Sequence, residues 1–400
     1  MEEGRVEQPL QDIQILDLSR VFAAPAGTMI LGDLGAEVIR VEHPDNTDSM
    51  REWAPFYEGE STYYISANRN KKSITINLKE QKGKEVFLNL VRDADVVVEN
   101  FKTNTMKRLG LGYDNLKEVN EKIIMCSVTG FGQTGPLNES PGFDPVIQAL
   151  SGLMSVTGQS DGEPTKVGVP IADILTSHYV AISILAAIRA RDFNKEGQHI
   201  DLSLLDTQLS SLANVSSSYL NTGEEPLRVG NSHNNVVPYQ VFQCKDYPIM
   251  LSVGNNKLFE KFSYLLNHSE WIEDERYCTN TQRLKNEKEL VSKIQEILKE
   301  KNADEWIQLF SNAKIPAGKV NTIEQAFQQK QVKARRLVET LKHPKIGEIK
   351  MTKSPLRFSN LNVQTKTPPP MLGEHTQELL MENLGLTMKE IEQMKKSGII

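Results

Sequence analysis

Ile13-Gln14-Ile15-Leu16-Asp17-Leu18, a helix-length run over residues 25–34, and Ala36-Glu37-Val38-Ile39-Arg40-Val41 follow one another near the start of this 400-residue chain. The outer two are short, apolar and rich in branched side chains, the pattern of strands. The run between them suits a helix with Pro25 in its first turn, where a missing N–H costs nothing, and with Gly35 to end it. Strand, helix and strand at this spacing make one right-handed βαβ unit, whose crossover sets the two strands parallel.

The unit repeats. Residues 73–78 read as a third strand, 81–92 as a helix, Asp95-Val96-Val97-Val98 as a nearly pure apolar strand, and 122–128 as a fifth. Such alternation indicates a parallel sheet covered on both faces, so the fold class is α/β with a Rossmann-like large domain. Further on, Gly142-Phe143-Asp144-Pro145 opens an apolar helix reaching Leu150, residues 198–204 alternate like a strand, and 205–220 read as a helix. Residues 221–237 are polar and turn-rich, which marks a linker. A smaller α+β unit follows, with a strand at 248–253 and helices at 257–266, 282–299 and 303–312. Short strands return at 337–341 and 346–351, Pro368-Pro369-Pro370 is a stiff spacer, and a helical tail covers 376–396.

Composition removes several classes of function. A formal net charge of -6 gives no global basic field, so nucleic acid is not an expected partner. Cys126, Cys244 and Cys278 form no CxxC pair, which speaks against a zinc site or a disulfide framework and for a reducing compartment. Met1-Glu2-Glu3-Gly4-Arg5 is unlike a targeting peptide, and the apolar run 174–188 is too short and too interrupted for a membrane span, so a cytoplasmic protein without membrane contact is expected. The loop after the first strand contains no GxGxxG, the spacing occurring instead after the fifth strand at Gly130–Gly135; GxxxxGK[ST] and HExxH do not occur, and Gly158-Gln159-Ser160-Asp161-Gly162 has GxSxG spacing with no strand read before it. The seven histidines show no ligand spacing. Dinucleotide binding, ATP hydrolysis, metal catalysis and a serine nucleophile are all disfavoured, with no metal and no bound prosthetic group expected.

In open parallel sheets ligands bind beyond the carboxyl ends of the strands, which directs attention to the loops after Leu18, Val41, Leu78 and Val98. Small residues from Ser19 to Gly27 lead into a helix N-terminus and leave room for a phosphate or an adenine near backbone. Asn68-Arg69-Asn70-Lys71-Lys72, Lys79, Glu99-Asn100-Phe101 and Lys107-Arg108 lie at neighbouring strand ends. Taken singly each is an ordinary solvated loop; together they offer cations for a diphosphate and a ring, Phe101, to flank a base. Gly130-Phe131-Gly132-Gln133-Thr134-Gly135-Pro136 is either a plain turn or a wall of the site, and Gly254-Asn255-Asn256 either caps a helix or meets a ligand with backbone.

Val167-Gly168-Val169-Pro170-Ile171-Ala172-Asp173 precedes the 174–188 run, and an Asp there reads as an N-cap. The helix is apolar nearly all round, which places it inside the protein and makes His178 a satisfied core residue. A carboxylate at its mouth is held rigidly in a positive backbone field that keeps it ionised. Asp173 either caps only or also attacks, and attack on an activated acyl carbonyl gives an anhydride.

Residues 16–21 (Leu-Asp-Leu-Ser-Arg-Val) and 32–42, the Asn68–Ile74 stretch, Asp95–Phe101, Gly130–Pro136 and the closing Pro369-Pro370-Met371-Leu372-Gly373-Glu374-His375-Thr376 resemble, in order, the signatures of the family III CoA-transferases. The resemblance implies that Asp173 is the nucleophile, passing through a mixed anhydride and an aspartyl-CoA thioester, with coenzyme A and acyl-CoA as substrates. It places CoA contacts on Phe22, Ala23, His43, Ile76, Lys79, Asn100, Phe101, Arg108, Phe143 and Asp144, and acceptor contacts on Arg20, Gln133, Gly254 and Asn255, with Arg228 as a second arginine for a distal carboxylate. His43 and Phe22 stand where oxalate-type members have arginine and glutamine. Gly230-Asn231-Ser232-His233 and Val237-Pro238-Tyr239-Gln240-Val241-Phe242 are similar to the succinyl-CoA:glutarate branch, which implies a dicarboxylate acceptor.

The family also contains α-methylacyl-CoA racemases, whose Gly-His-Asp motif is Gly142-Phe143-Asp144 here; a racemase or a non-catalytic acyl-CoA-binding protein is the alternative. The implied architecture is an open ring threaded through a second copy, an interlocked homodimer. In it residues 1–210 and 336–400 form the large domain, 241–315 the small one, and 211–240 and 316–335 the linkers.

Overall fold

The computed structural model describes residues 8–45 and 48–400; the acidic start read above as unlike a targeting peptide lies outside them. Gln14–Asp17, Glu37–Glu42, Lys71–Thr75, Val96–Glu99, Ile124–Thr129 and His199–Ser203 form one six-stranded sheet, every neighbouring pair parallel. Numbered along the chain, the strands lie in the order 3-2-1-4-5-6. That order reverses between the first strand and the fourth, and the loops leaving those two strands part to open a crevice.

Alternation along each strand explains why the sheet is buried on both sides. Ile15, Val38, Val96, Val98, Ile124 and Cys126 face the helices Ala23–Asp33 and Ile171–Asn194. Leu16, Ile39, Ile74, Val97 and Met125 face Val86, Phe87, Leu90 and Val91 of the helix Gln81–Asp93, together with Leu379, Leu380, Ile391 and Met394 near the carboxyl terminus. The chain's last helices are thus part of the first strands' core.

Two compact units result, one taking the chain through Leu153, Lys166–Glu224 and Arg335–Ile400, the other Met154–Thr165 and Glu225–Ala334. The second unit has its own antiparallel sheet, with Pro248–Ser252 between Tyr239–Gln243 and Ala317–Lys319. Ile249, Leu251, Phe259, Phe262, Trp306 and Phe310 form its core.

Three helices expected as single pieces are broken. Residues 205–220 divide into Leu204–Ser210 and Ala213–Thr222, with Ala213 at φ 48. Residues 282–299 divide at Asn286 into Asn280–Lys285 and Glu287–Leu298. The tail divides at Gly385 (φ 64) into Thr376–Leu384 and Met388–Lys396, the second restarted by a Thr387–Glu390 capping box.

The helix Ile171–Asn194 is longer than the run read from sequence, and by length and composition it is long and apolar enough to cross a membrane. In this fold it packs along Ala23–Asp33 through Ala172, Thr176, Val180, Ala181, Ile184 and Ala187. Gly27 makes the approach possible: a Cβ there would stand 2.7 Å from the Val180 side chain. The expectation that the whole helix lies inside is not met. Small and β-branched residues fill one face, while Ile182 and Phe193 on the other are 58% and 67% exposed. His178, expected in the core, lies on that open side.

Beneath the crevice is a buried ion pair. Lys71 Nζ donates to Asp17 Oδ2 at 2.9 Å, to the Pro25 carbonyl at 2.8 Å and to Asn68 Oδ1 at 3.0 Å. Asp17 also accepts from the hydroxyls of Ser19 and Thr28. Burial opposes the Asp17 charge, yet Lys71 and Arg40 outweigh it and hold the carboxyl below its usual range; Lys71 itself is pushed down to about 8 by burial. Lys71→Met leaves a carboxylate buried without its cation, and we expect a loss of about 3–5 kcal/mol in urea denaturation. Adding Asp17→Asn to that variant should recover a large part of the loss, which a double-mutant cycle reads directly.

Candidate active site

A cavity of about 570 Å³ opens beyond the carboxyl ends of the strands. Of the residues singled out from sequence, Arg20, Phe22, Ala23, His43, Ile76, Lys79, Asn100, Phe101, Phe143 and Asp173 line it. They come from five different loops, brought together because parallel strands deliver all their carboxyl ends to one edge.

Asp173 is the third residue of its helix, and the N-cap position belongs to Pro170. Capping is done by a neighbour: Asp144 Oδ2 accepts from the amides of Ala172 at 2.8 Å and Asp173 at 3.3 Å. Gln148 Nε2 donates to the other Asp144 oxygen at 2.6 Å, and Gln148 Oε1 accepts from the Val167 amide at 2.9 Å, so Asp144 and Gln148 anchor the approach to the helix as well as its start. Among the described residues no hydrogen bond reaches the Asp173 carboxylate. Burial, followed by the negative charge of Asp144, pushes Asp173 up to about 7. The amides expected to steady its anion are not free to do so, because those of Ala172 and Asp173 already donate to Asp144.

Across the crevice, Asn100 is a clamp. Its Oδ1 accepts from the Arg20 amide and its Nδ2 donates to the Arg20 carbonyl, both at 2.8 Å, which ties the loop after the fourth strand to the loop after the first. The Arg20 guanidinium lies over the Phe101 ring, 5.1 Å from its centre. Val21, a β-branched residue at φ 61, is held there by Asp48, whose Oδ1 accepts from its amide at 3.1 Å. Glu99 is buried and accepts from the Phe101 amide at 2.8 Å; burial pushes its carboxyl up to about 7.

Other expected site residues are placed elsewhere. Asp144 is off the cavity wall and is spent on the helix start. Arg108, also off the wall, donates to Thr105 Oγ1 at 3.1 Å. Gln133 does not line the cavity; its amide donates to both Asp201 oxygens, pinning the glycine-rich loop to the sixth strand. Gly254 and Asn255 lie in the second unit, where Asn255 Oδ1 accepts from the Leu258 amide as an N-cap. Arg228, in that unit too, donates to the carbonyls of Ser155, Gln159 and Gly162 and so holds a loop.

Sequence reading missed Tyr63. Its ring meets Phe22 and Trp53 edge-on, at 5.8 Å and 5.3 Å, and its hydroxyl is raised by burial and then by the charges of Asp173 and Asp144. It sits on a helix too short for any periodicity to single it out.

The family pattern of CoA-transferase family III matches residues 10–376. Human succinyl-CoA:glutarate CoA-transferase is 39% identical over 98% of this chain and 90% of its own length, and succinate--glutarate CoA-transferase of Agrobacterium fabrum is 41% identical over 94% and 95%. A crystal structure of a CAIB/BAIF family protein from Brucella suis superposes with a TM-score of 0.84 at 37% identity, covering 94% of this chain and all of that one. With a family match over nearly the whole length and a carboxylate free of hydrogen bonds at the wall of a many-loop cavity, the chain belongs to the family III CoA-transferases and is an enzyme of CoA transfer.

Proposed function

We propose that this enzyme moves CoA from succinyl-CoA or a similar thioester to a dicarboxylate such as glutarate, with Asp173 as nucleophile. The observation that carries the mechanism is the Asp173 carboxyl: it lines the cavity, accepts no hydrogen bond among the described residues, and burial makes it a stronger base than an ordinary aspartate. Two relatives named for succinyl and glutaryl transfer support the substrates.

The steps balance without any further reagent. The Asp173 carboxylate attacks the donor thioester carbonyl, the C–S bond breaks, and CoA leaves as thiolate from a mixed anhydride. The thiolate attacks the aspartyl carbonyl, freeing the donor acid and leaving an aspartyl-CoA thioester. The acceptor carboxylate repeats the two steps in reverse. Asp144 and Gln148 position the nucleophile by fixing its backbone, while Asn100 and Phe101, on the cavity wall, are assigned to the coenzyme.

A racemase needs a base on each face of the α-carbon, and Phe143 offers only a hydrocarbon ring at the matching position. No observation favours that reading. The open apolar side chains of Leu150, Ile182 and Phe193 support a homodimer, and the three unpaired thiols suit a cytoplasmic enzyme.

Three outcomes are expected. Asp173→Asn should lower kcat by about 10³-fold or more, and hydroxylamine or borohydride trapping with succinyl-CoA should modify Asp173 alone in mass spectrometry; a bound thioester with Asp173 unmodified would sink the covalent route. Because attack needs the carboxylate, kcat/KM should rise with pH through an apparent pKa of about 7, and Asp144→Asn, which removes a negative neighbour, should move that limb to lower pH. Light scattering at assay concentration should give twice the monomer mass.

A further inference from the structure

We infer that Arg20 binds a phosphate of the coenzyme's nucleotide, and that the acceptor's distal carboxylate is held by something else. This rests on the transferase reading of the cavity. Arg20 sits at the point where the strand order reverses, its peptide fixed on both sides by Asn100 and its guanidinium lying over Phe101. A guanidinium stacked by its face keeps its edge N–H groups free to donate.

The carboxylates near it are already taken. Glu42 accepts from Arg51 through two bonds of 2.9 Å and from Ser73 Oγ at 2.6 Å, and pairs with Arg40 at 3.2 Å. Asp48 pairs with Arg40 and accepts from the amides of Val21 and Met50. Asp17, Glu42 and Asp48 thereby balance Arg40, Arg51 and Lys71. Arg20 is the cation left over, and among the described residues it has no ion-pair partner. A half-buried guanidinium without a partner is costly, and an anion entering the cavity removes that cost.

Its position selects which anion. The same cavity wall carries Lys79 and Lys102 from neighbouring strand ends, ammonium groups suited to phosphate, and Phe101 gives a flat surface for a base. Asp173, where the acyl group reacts, starts its helix beside Asp144, whereas Arg20 is tied to Asn100 and Phe101. The pantetheine arm of CoA is long and a succinyl or glutaryl chain is short. A cation held over Phe101, the ring that flanks the base, therefore lies on the nucleotide side of the thioester.

The test compares wild type with Arg20→Ala and Arg20→Lys by calorimetry with CoA and by kinetics with succinyl-CoA, 3′-dephospho-succinyl-CoA and succinyl-pantetheine, using glutarate and a monocarboxylate as acceptors. Arg20→Ala should weaken CoA binding and raise the thioester KM roughly tenfold to a hundredfold, with kcat and both acceptor KM values unchanged and Arg20→Lys restoring part of the loss. With succinyl-pantetheine, which has no nucleotide, wild type and Arg20→Ala should react alike. A defect that vanishes with the dephospho substrate assigns the 3′-phosphate, and one that persists assigns the diphosphate. Unchanged CoA affinity in Arg20→Ala, or a KM rise confined to glutarate, overturns the assignment while leaving the transferase intact. Failure of the wild type to bind CoA at all would overturn both.

Discussion

Everything at this site follows from the reversal of strand order between Gln14–Asp17 and Val96–Glu99. Parallel strands joined by right-handed crossovers put every helix on a face and every carboxyl end on one edge, so the only natural opening lies where consecutive crossovers run in opposite directions. Two loops that part there would expose unpaired backbone, and the Asn100 amide closes that gap by exchanging hydrogen bonds with both polar groups of Arg20. Below it, Lys71 satisfies Asp17, the Pro25 carbonyl and Asn68 from one ammonium, so the centre of the crevice floor is polar yet paired. A rigid floor matters because ligand groups must meet loops from five strands at once.

In the proposed mechanism Asp173 is a reactive group made from ordinary parts. An aspartate in the first turn of a helix is normally stabilised as an anion by free amides. Here Asp144 takes those amides, fixes the helix start through Gln148, and adds a second negative charge nearby. The carboxyl is left both bare and destabilised, which is the combination a carboxylate nucleophile needs. The same residue that supports the backbone therefore also raises the Asp173 carboxyl.

Much of the fold was legible because period-two alternation and helix-length spacing are local properties. The first five strands of the parallel sheet were found within a few residues, and the sixth was read at 198–204 and lies at His199–Ser203, while the short hairpin of Phe56–Tyr57 and Glu60–Ser61 was not read. Helix breaks at Asn286 and Gly385 were less legible, since apolar periodicity continues across a single residue that turns the backbone. The site divided in the same way. Residues at strand ends, such as Lys79, Asn100 and Phe101, line one cavity, whereas Arg108, Gln133 and Asp144 lie a short distance along the chain from the wall and turn to other partners.

The sequence by itself determined the class of fold, the edge of the sheet where the cavity opens, and the family, because patterning and ordered motifs are written in consecutive residues. Only the tertiary structure decided the state of each charge. Whether Asp173 is capped or bare depends on Asp144, twenty-nine residues earlier in the chain, and whether Arg20 is paired or free depends on how Glu42 and Asp48 divide their oxygens among other cations. Electrostatic energy is set by distances through space and by exclusion of water, and neither is a property of neighbouring letters.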